Sequence, residues 1–291
     1  MGELRKKGRC GLASELVREL IDAGVHFGHR ASRWNPKMSP YIFGKRNHIH
    51  IVDIRETVKG LLRAKKLVSA VVAQGQDVLF VGTKRQARES VQRHSTRCGM
   101  HYVADRWLGG TLTNFRTIRS RLARLEELEG LDKGGMDEKY SKKMASTLTR
   151  ELRKLQRNLE GIRRMTRIPG VLVIVDVKRE YIAVREARKL GVPTICVVDT
   201  DSDPDAADII IPGNDDAMRA IDIIVGQLAD SAEEGKRARS AAATGDGQKD
   251  GESVGPQRRQ RRMTTTAMAE AEAASDSPND GELSEQPVAQ G

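Results

Sequence analysis

Three stretches of this chain carry residue types that could do chemistry. The first is Gly82-Thr83-Lys84-Arg85, which follows the apolar run Val78-Leu79-Phe80-Val81. Backbone N–H groups and the dipole at a helix start attract phosphate, and Lys84 and Arg85 add charge. The segment has no GxxxxGK[ST] pattern, so it is not a P-loop. The second is Arg106-Trp107-Leu108-Gly109-Gly110, an Arg and an aromatic beside a flexible turn. Trp107 can stack on a base or anchor neighbouring elements. Aromatics make up 3% of the chain, so base stacking is not the main mode of binding. The third is the irregular stretch holding Arg30, Arg33, Trp34, Lys37, Lys45 and Arg46 with Pro36 and Pro40, which reads as a rigid cationic surface suited to RNA.

Metal and catalytic chemistry are weaker readings. His26 and His29 could share a metal, with help from Asp199, Asp201, Asp203 and Asp205. The acidic run lacks the Gly and the closing Glu of an EF-hand loop. Helix capping and buried hydrogen bonding explain the same residues, and no metal, cofactor or catalytic residue is expected. No Ser-His-Asp or Cys-His grouping has local context for nucleophilic catalysis. Cys10, Cys98 and Cys196 lie far apart, against a disulfide framework or zinc ribbon.

Those residues need elements to position them. The runs at 171–176, 194–199 and 208–212 are apolar without alternation and are separated by helical patterns. Such runs form a parallel sheet covered on both faces. A helix is expected over residues 55–73, a strand over 50–53, and an ordered loop without regular period over 25–46. Helices are expected over 179–189 and, with Asp215 and Asp216 in its first turn, over 214–228. Between the halves of the sheet, Leu112, Phe115, Ile118, Leu122, Leu125 and Leu128, then Leu148, Leu152, Leu155, Leu159 and Ile162, recur at helical spacing. Two such helices joined by the loop 130–139 make an antiparallel coiled-coil hairpin. Gly109 and Gly110 make a flexible turn at the end of a strand.

Charge follows this division. The protein carries 50 Lys plus Arg against 40 Asp plus Glu, a net +10. The first fifty residues hold ten cations and four anions, and residues 112–167 hold 15 and eight. From residue 230 onward anions exceed cations, and large apolar residues are scarce. Such a tail cannot offset its ordering entropy. The expected organisation is a flexible basic start (1–13), a first half of an α/β domain (14–111), a coiled-coil hairpin (112–165), a second half (166–231) and a disordered tail (232–291). A basic ordered part favours a polyanionic partner. No apolar run is long enough for a membrane span and no signal region opens the chain, so a cytoplasmic protein without a membrane partner is expected.

The segments AGVHFGHRASRWNPKMSPYIFGKRNHIHI (from Ala23), LFVGTKRQA (from Leu79), DRWLGGTLTNFRT (from Asp105) and VVDTDSDPDAADIIIPGNDDAMRAI (from Val197) resemble the bacterial small-subunit ribosomal protein S-two family. The resemblance covers about residues 14–230. It implies a flavodoxin-like, three-layer α/β fold with a protruding hairpin, and a structural rather than enzymatic role in the small ribosomal subunit. It further implies binding to 16S rRNA between head and body, contact with other small-subunit proteins, and help in recruiting ribosomal protein S-one. A homo-oligomer is not expected. Carried onto this sequence, phosphate contacts fall to Arg30, Arg33, Lys37, Lys45, Arg46, Lys84, Arg85 and Arg106, with Trp34 beside them. Asn114 would cap the hairpin or reach RNA. The competing reading is a nucleotide-binding enzyme using the strand ends at Gly82 and Asp199, for which no GxGxxG or Walker pattern is present.

Overall fold

A computed structural model describes residues 15–133 and 140–246. The expected basic start, the tip of the hairpin loop and residues 247–291 of the expected tail lie outside the described residues. The strands form two sheets. β1 (Phe27–Arg30), β2 (Ile42–Arg46) and β3 (Ile49–Val52) are antiparallel, in the order β1-β3-β2. β4 (Val78–Val81), β5 (His101–Val103), β6 (Val171–Val175), β7 (Thr194–Val198) and β8 (Ile209–Pro212) are parallel, in the order β5-β4-β6-β7-β8. Counted along the chain, that is the flavodoxin-type order, with its reversal between β4 and β6.

The apolar runs are explained by this sheet. Successive side chains of a strand point to opposite faces. Val78 and Phe80 enter one core with Val173, Val197 and Ile211. Leu79 and Val81 enter the other with Leu172, Ile174 and Val198. The first core is closed by helices α2 (Ile54–Ala73), α3 (Arg88–Cys98) and α7 (Met218–Asp246), and by Leu20 of the short helix α1 (15–22). The second is closed by α6 (Tyr181–Leu190) and the base of the hairpin. Helix α2 sits close on β8: Thr57 Oγ1 donates to the Pro212 carbonyl at 2.6 Å, and a Cβ at Gly60 would overlap the Ile210 carbonyl oxygen.

The hairpin is α4 (Phe115–Lys133) and α5 (Lys142–Leu159). Ile118, Leu122, Leu125 and Leu128 of α4 share a core with Ala145, Leu148, Leu152 and Leu159 of α5. Gln156 Nε2 of α5 donates to Glu129 of α4, and Arg163, just beyond α5, pairs with the same carboxylate.

Four expectations need correction. The stretch 25–46 is not merely a loop, since it contains β1, β2 and two 3-10 turns. These strands are short, mostly part-exposed and broken by register shifts, so no alternation survives in the sequence. The basic helix does not open at Lys84. A turn closed by Ala87 N–H to the Lys84 carbonyl intervenes, and α3 begins at Arg88. Helix α7 starts at Met218, so Asp215 and Asp216 precede it. Asn214 Oδ1 accepts from the backbone N–H groups of Asp216 and Ala217 instead. The same helix runs past the boundary expected at residue 231, to Asp246.

Candidate nucleic-acid interface

The turn between β5 and α4 is organised by a buried acid that local sequence patterns do not reveal. Glu186 of α6 is 8% exposed. Its Oε1 accepts from Trp107 Nε1 at 3.2 Å and Gly110 N–H at 2.7 Å. Its Oε2 accepts from Leu112 N–H at 3.0 Å, Thr113 N–H at 3.2 Å and the Thr113 hydroxyl at 3.3 Å. Burial pushes this carboxyl up, but the donors outweigh it and hold the acid below the usual range. Trp107 is thereby an anchor inside the second core, not a free stacking surface. Gly110 takes φ +90°, the left-handed region glycine tolerates, while Gly109 is exposed. Asn114 precedes α4, and its Oδ1 accepts from the Thr117 hydroxyl at 2.8 Å.

That turn projects Arg106 into a groove of about 950 Å³ lined by Arg88, Asp105, Arg106 and one side of α5. The α5 side carries Lys142, Arg150, Arg153, Lys154 and Arg157. Positions 150, 153, 154 and 157 share one helical face, opposite Leu148 and Leu152. Among the described residues, Arg106 and these five form no ion pair with a carboxylate. Arg88 does, with Asp105 at 3.0 Å. Unpaired guanidinium groups in a row suit phosphates, which accept from their planar fork. Sequence reading counts these hairpin cations without assigning them to the site. Their spacing along α5 is the signal that singles them out.

The basic loop residues separate into two groups. Arg30 and Arg46 both pair in register with Ile49, on opposite sides of β3, and Lys45 pairs with His50. Arg30, Arg33, Lys45, Arg46 and the more distant Arg85 are exposed. Trp34 lies against His50 at 5.1 Å between ring centroids. Lys37 and Lys84, by contrast, are held by acids. Lys37 Nζ meets Asp205 at 2.7 Å and Asp203 at 3.1 Å. Lys84 Nζ meets Asp216 at 2.6 Å, Asp215 at 2.8 Å and Asp176 at 3.8 Å. Neither presents a free charge as expected of a phosphate contact. The neighbouring Thr83 is engaged too, its N–H donating to Glu180 at 3.0 Å and its hydroxyl to the same oxygen.

Lys84 belongs to a charged network at the carboxyl ends of the parallel strands. His29 Nδ1 lies 2.9 Å from Asp199 and Nε2 3.4 Å from Asp216. The close approach of the Asp199 carboxylate outweighs burial and raises the imidazole pKa to about 9. Burial, then the charge of Asp199, raises Asp215 to about 7 against the pull of Lys84. His29, Asp199 and Asp215 each offer a ligand atom within 4.8 Å of the others, close enough to share a cation. The protonated imidazole and the ammonium already supply positive charge there. His26 is not part of this set. Asp201 pairs with Lys178, and Asp203 and Asp205 with Lys37, so the acidic run is not one cation loop.

A different surface lies beside α1. Val17, Ile21, Ile51, Val58 and Phe43 line a nearly apolar groove of about 640 Å³. Phe43 is 76% exposed and Phe27 47%. No helix among the described residues is long and apolar enough to cross a membrane.

Comparison with known proteins fits this architecture. The family model for "Ribosomal protein S2" matches residues 20–235. A "Small ribosomal subunit protein uS2" of Rhodopirellula baltica is 62% identical over 225 residues, covering 77% of this chain and 86% of the relative. A protein of the same name from Geotalea uraniireducens is 50% identical over 224 residues, covering 77% and 88%. With its matching span running from α1 well into α7, this chain belongs to the ribosomal protein S2 family.

Proposed function

We propose that this chain is a structural constituent of the small ribosomal subunit, works in the cytoplasm, and binds 16S rRNA between head and body. The observation that carries this reading is the row of unpaired cations, Arg106, Lys142, Arg150, Arg153, Lys154 and Arg157, along one groove. Arg30, Arg33, Lys45 and Arg46 on the small sheet, with Arg85, add further phosphate contacts. Binding then derives from counterion release, with a slope of about −0.7 to −0.9 per phosphate.

Recruitment of ribosomal protein S-one belongs to the apolar groove in this account. An exposed Phe43 beside Ile21 and Val17 suits the apolar face of a partner helix better than it suits RNA. A nucleotide-binding enzyme is disfavoured by the strand ends themselves. In this fold type ligands seat at the reversal of strand order. Here Glu180 takes the Thr83 N–H and hydroxyl, and three carboxylates surround Lys84.

Sedimentation of tagged protein from lysate through sucrose gradients at moderate and high salt tests the role. Co-migration with the small subunit, weakened by salt, is the expected result. Migration as free protein under both conditions would remove the ribosomal reading. In the same gradients, Phe43→Ser should keep the chain on the subunit while reducing S-one there. Undiminished S-one would rule out the apolar groove.

A further inference from the structure

We propose that Glu186 is the positioning residue that sets the angle of the α4–α5 hairpin against the sheet, and with it the spacing of the cations facing Arg106. This rests on the groove reading given above. The hairpin joins the α/β core at two feet. At the outgoing foot, five donors from Trp107, Gly110, Leu112 and Thr113 converge on the two oxygens of one carboxylate. The segment they belong to lies between Arg106, which faces the groove, and Phe115, where α4 begins. At the returning foot, a Cβ at Gly161 would overlap the Tyr102 carbonyl oxygen, so the backbone there already lies flush on β5. The second foot is a close contact whose polar ties, Arg167 to Asp77 and the Gly75 carbonyl, lie several residues further along the chain, whereas at the first foot the lock sits in the turn itself.

The carboxylate itself is rigidly mounted. Glu186 stands among Ala183, Val184 and Ala187, which are buried in the core that also takes Trp107 and Leu112. The turn is braced internally as well. The Thr111 hydroxyl donates to the Leu108 carbonyl at 2.6 Å, and Asn114 N–H to the Gly110 carbonyl at 2.8 Å. A braced turn moves as a unit, so its orientation is set by what holds it from outside, and that is α6. Only an anion satisfies all five donors. An amide at this position would turn an NH₂ toward N–H groups that have no other acceptor. The cost of that mismatch falls on the hairpin's direction before it falls on the sheet, whose strands Glu186 does not touch.

The test uses the full chain with Cys10→Ser and nitroxide labels at Ser146→Cys on α5 and Lys189→Cys on α6. Double electron–electron resonance then reads the hairpin angle as a distance distribution. Affinity for a 16S rRNA transcript is measured across salt concentrations in parallel. Glu186→Gln should broaden the distribution and reduce the salt slope by about 0.7 to 0.9 for each phosphate that the groove no longer engages. Trp107→Phe removes one donor and should shift both readouts less, in the same direction; it also serves if the Gln variant folds poorly. A variant that merely lowered the folded fraction would weaken binding without changing the slope. Arg153→Ser with Arg157→Ser is the control for the groove. A reduced slope in that control with an unbroadened distance in Glu186→Gln and Trp107→Phe overturns the role of Glu186 and leaves the groove reading intact. A broadened distance with an unchanged slope in every variant keeps Glu186 as the hairpin's lock and overturns the groove reading.

Discussion

Lys84, expected as a phosphate ligand, shows how little a basic residue's type says about its task. Around it Asp176, Asp215 and Asp216 converge from β6 and the β8–α7 turn, while Asp199 and Asp216 flank His29. Two shifts in this network run upward, and their signs agree. His29 is held protonated in the fold, so its stabilisation is complete below about pH 6.5 and is lost as pH rises through about 9. Asp215 favours its neutral form, so its contribution is complete below about pH 3.9 and is lost as pH rises through about 7. Stability measured by urea unfolding should therefore fall between pH 6.5 and 9, by about 2 kcal/mol from His29 after screening. His29→Gln should flatten that interval. An equally steep fall in the variant would show that His29 does not cause it. The sequence offered His29 and Asp199 only as possible ligands of one metal, and Asp215 reaches them from a different strand end.

Helices with one-sided burial were legible, as were the parallel strands, whose burial on both faces leaves unbroken apolar runs. The period of 3.6 in α2, α4 and α5 survives because each puts apolar residues on a single face. In the small antiparallel sheet only β3 was legible, as the strand expected over 50–53; β1 and β2, four or five mostly part-exposed residues with shifted register, leave no period. Close approach was equally invisible. Gly60 looks like a weakness within α2, yet it lets the helix rest on the backbone of β8. Gly60→Ala should cost about 2 kcal/mol or more, read as a lower denaturant midpoint at unchanged m. An unchanged midpoint would mean that α2 can shift off β8 at no cost. The charged face of α5 was legible in principle. What hid it was that its partner, Arg106, lies in another element and that solvated helix faces also carry charge.

At the scale of the whole molecule, helix α7 is the seam that joins the two halves. Ala232 is fully buried, Gly235 lies against Ser69 and Val72 of α2, and Lys236 Nζ donates to the Cys98 carbonyl at 2.5 Å. Truncation after residue 231 removes all three interactions beyond the expected end of the domain. It should lower the thermal midpoint by several degrees in scanning calorimetry, and an unaltered midpoint would show that this segment adds nothing. Sequence composition placed the end of the ordered region too early, because Ala232, Gly235 and Lys236 hold the helix there through small or charged residues that carry little apolar signal. By itself the sequence determined the α/β class, the sheet-forming runs, the helical hairpin and a cationic character, all of which depend on neighbours along the chain. Only the tertiary structure decided which cations remain free. Whether a lysine or arginine keeps its charge for a phosphate depends on the carboxylates that folding brings within about 4 Å of it, and these come from distant strands and helices.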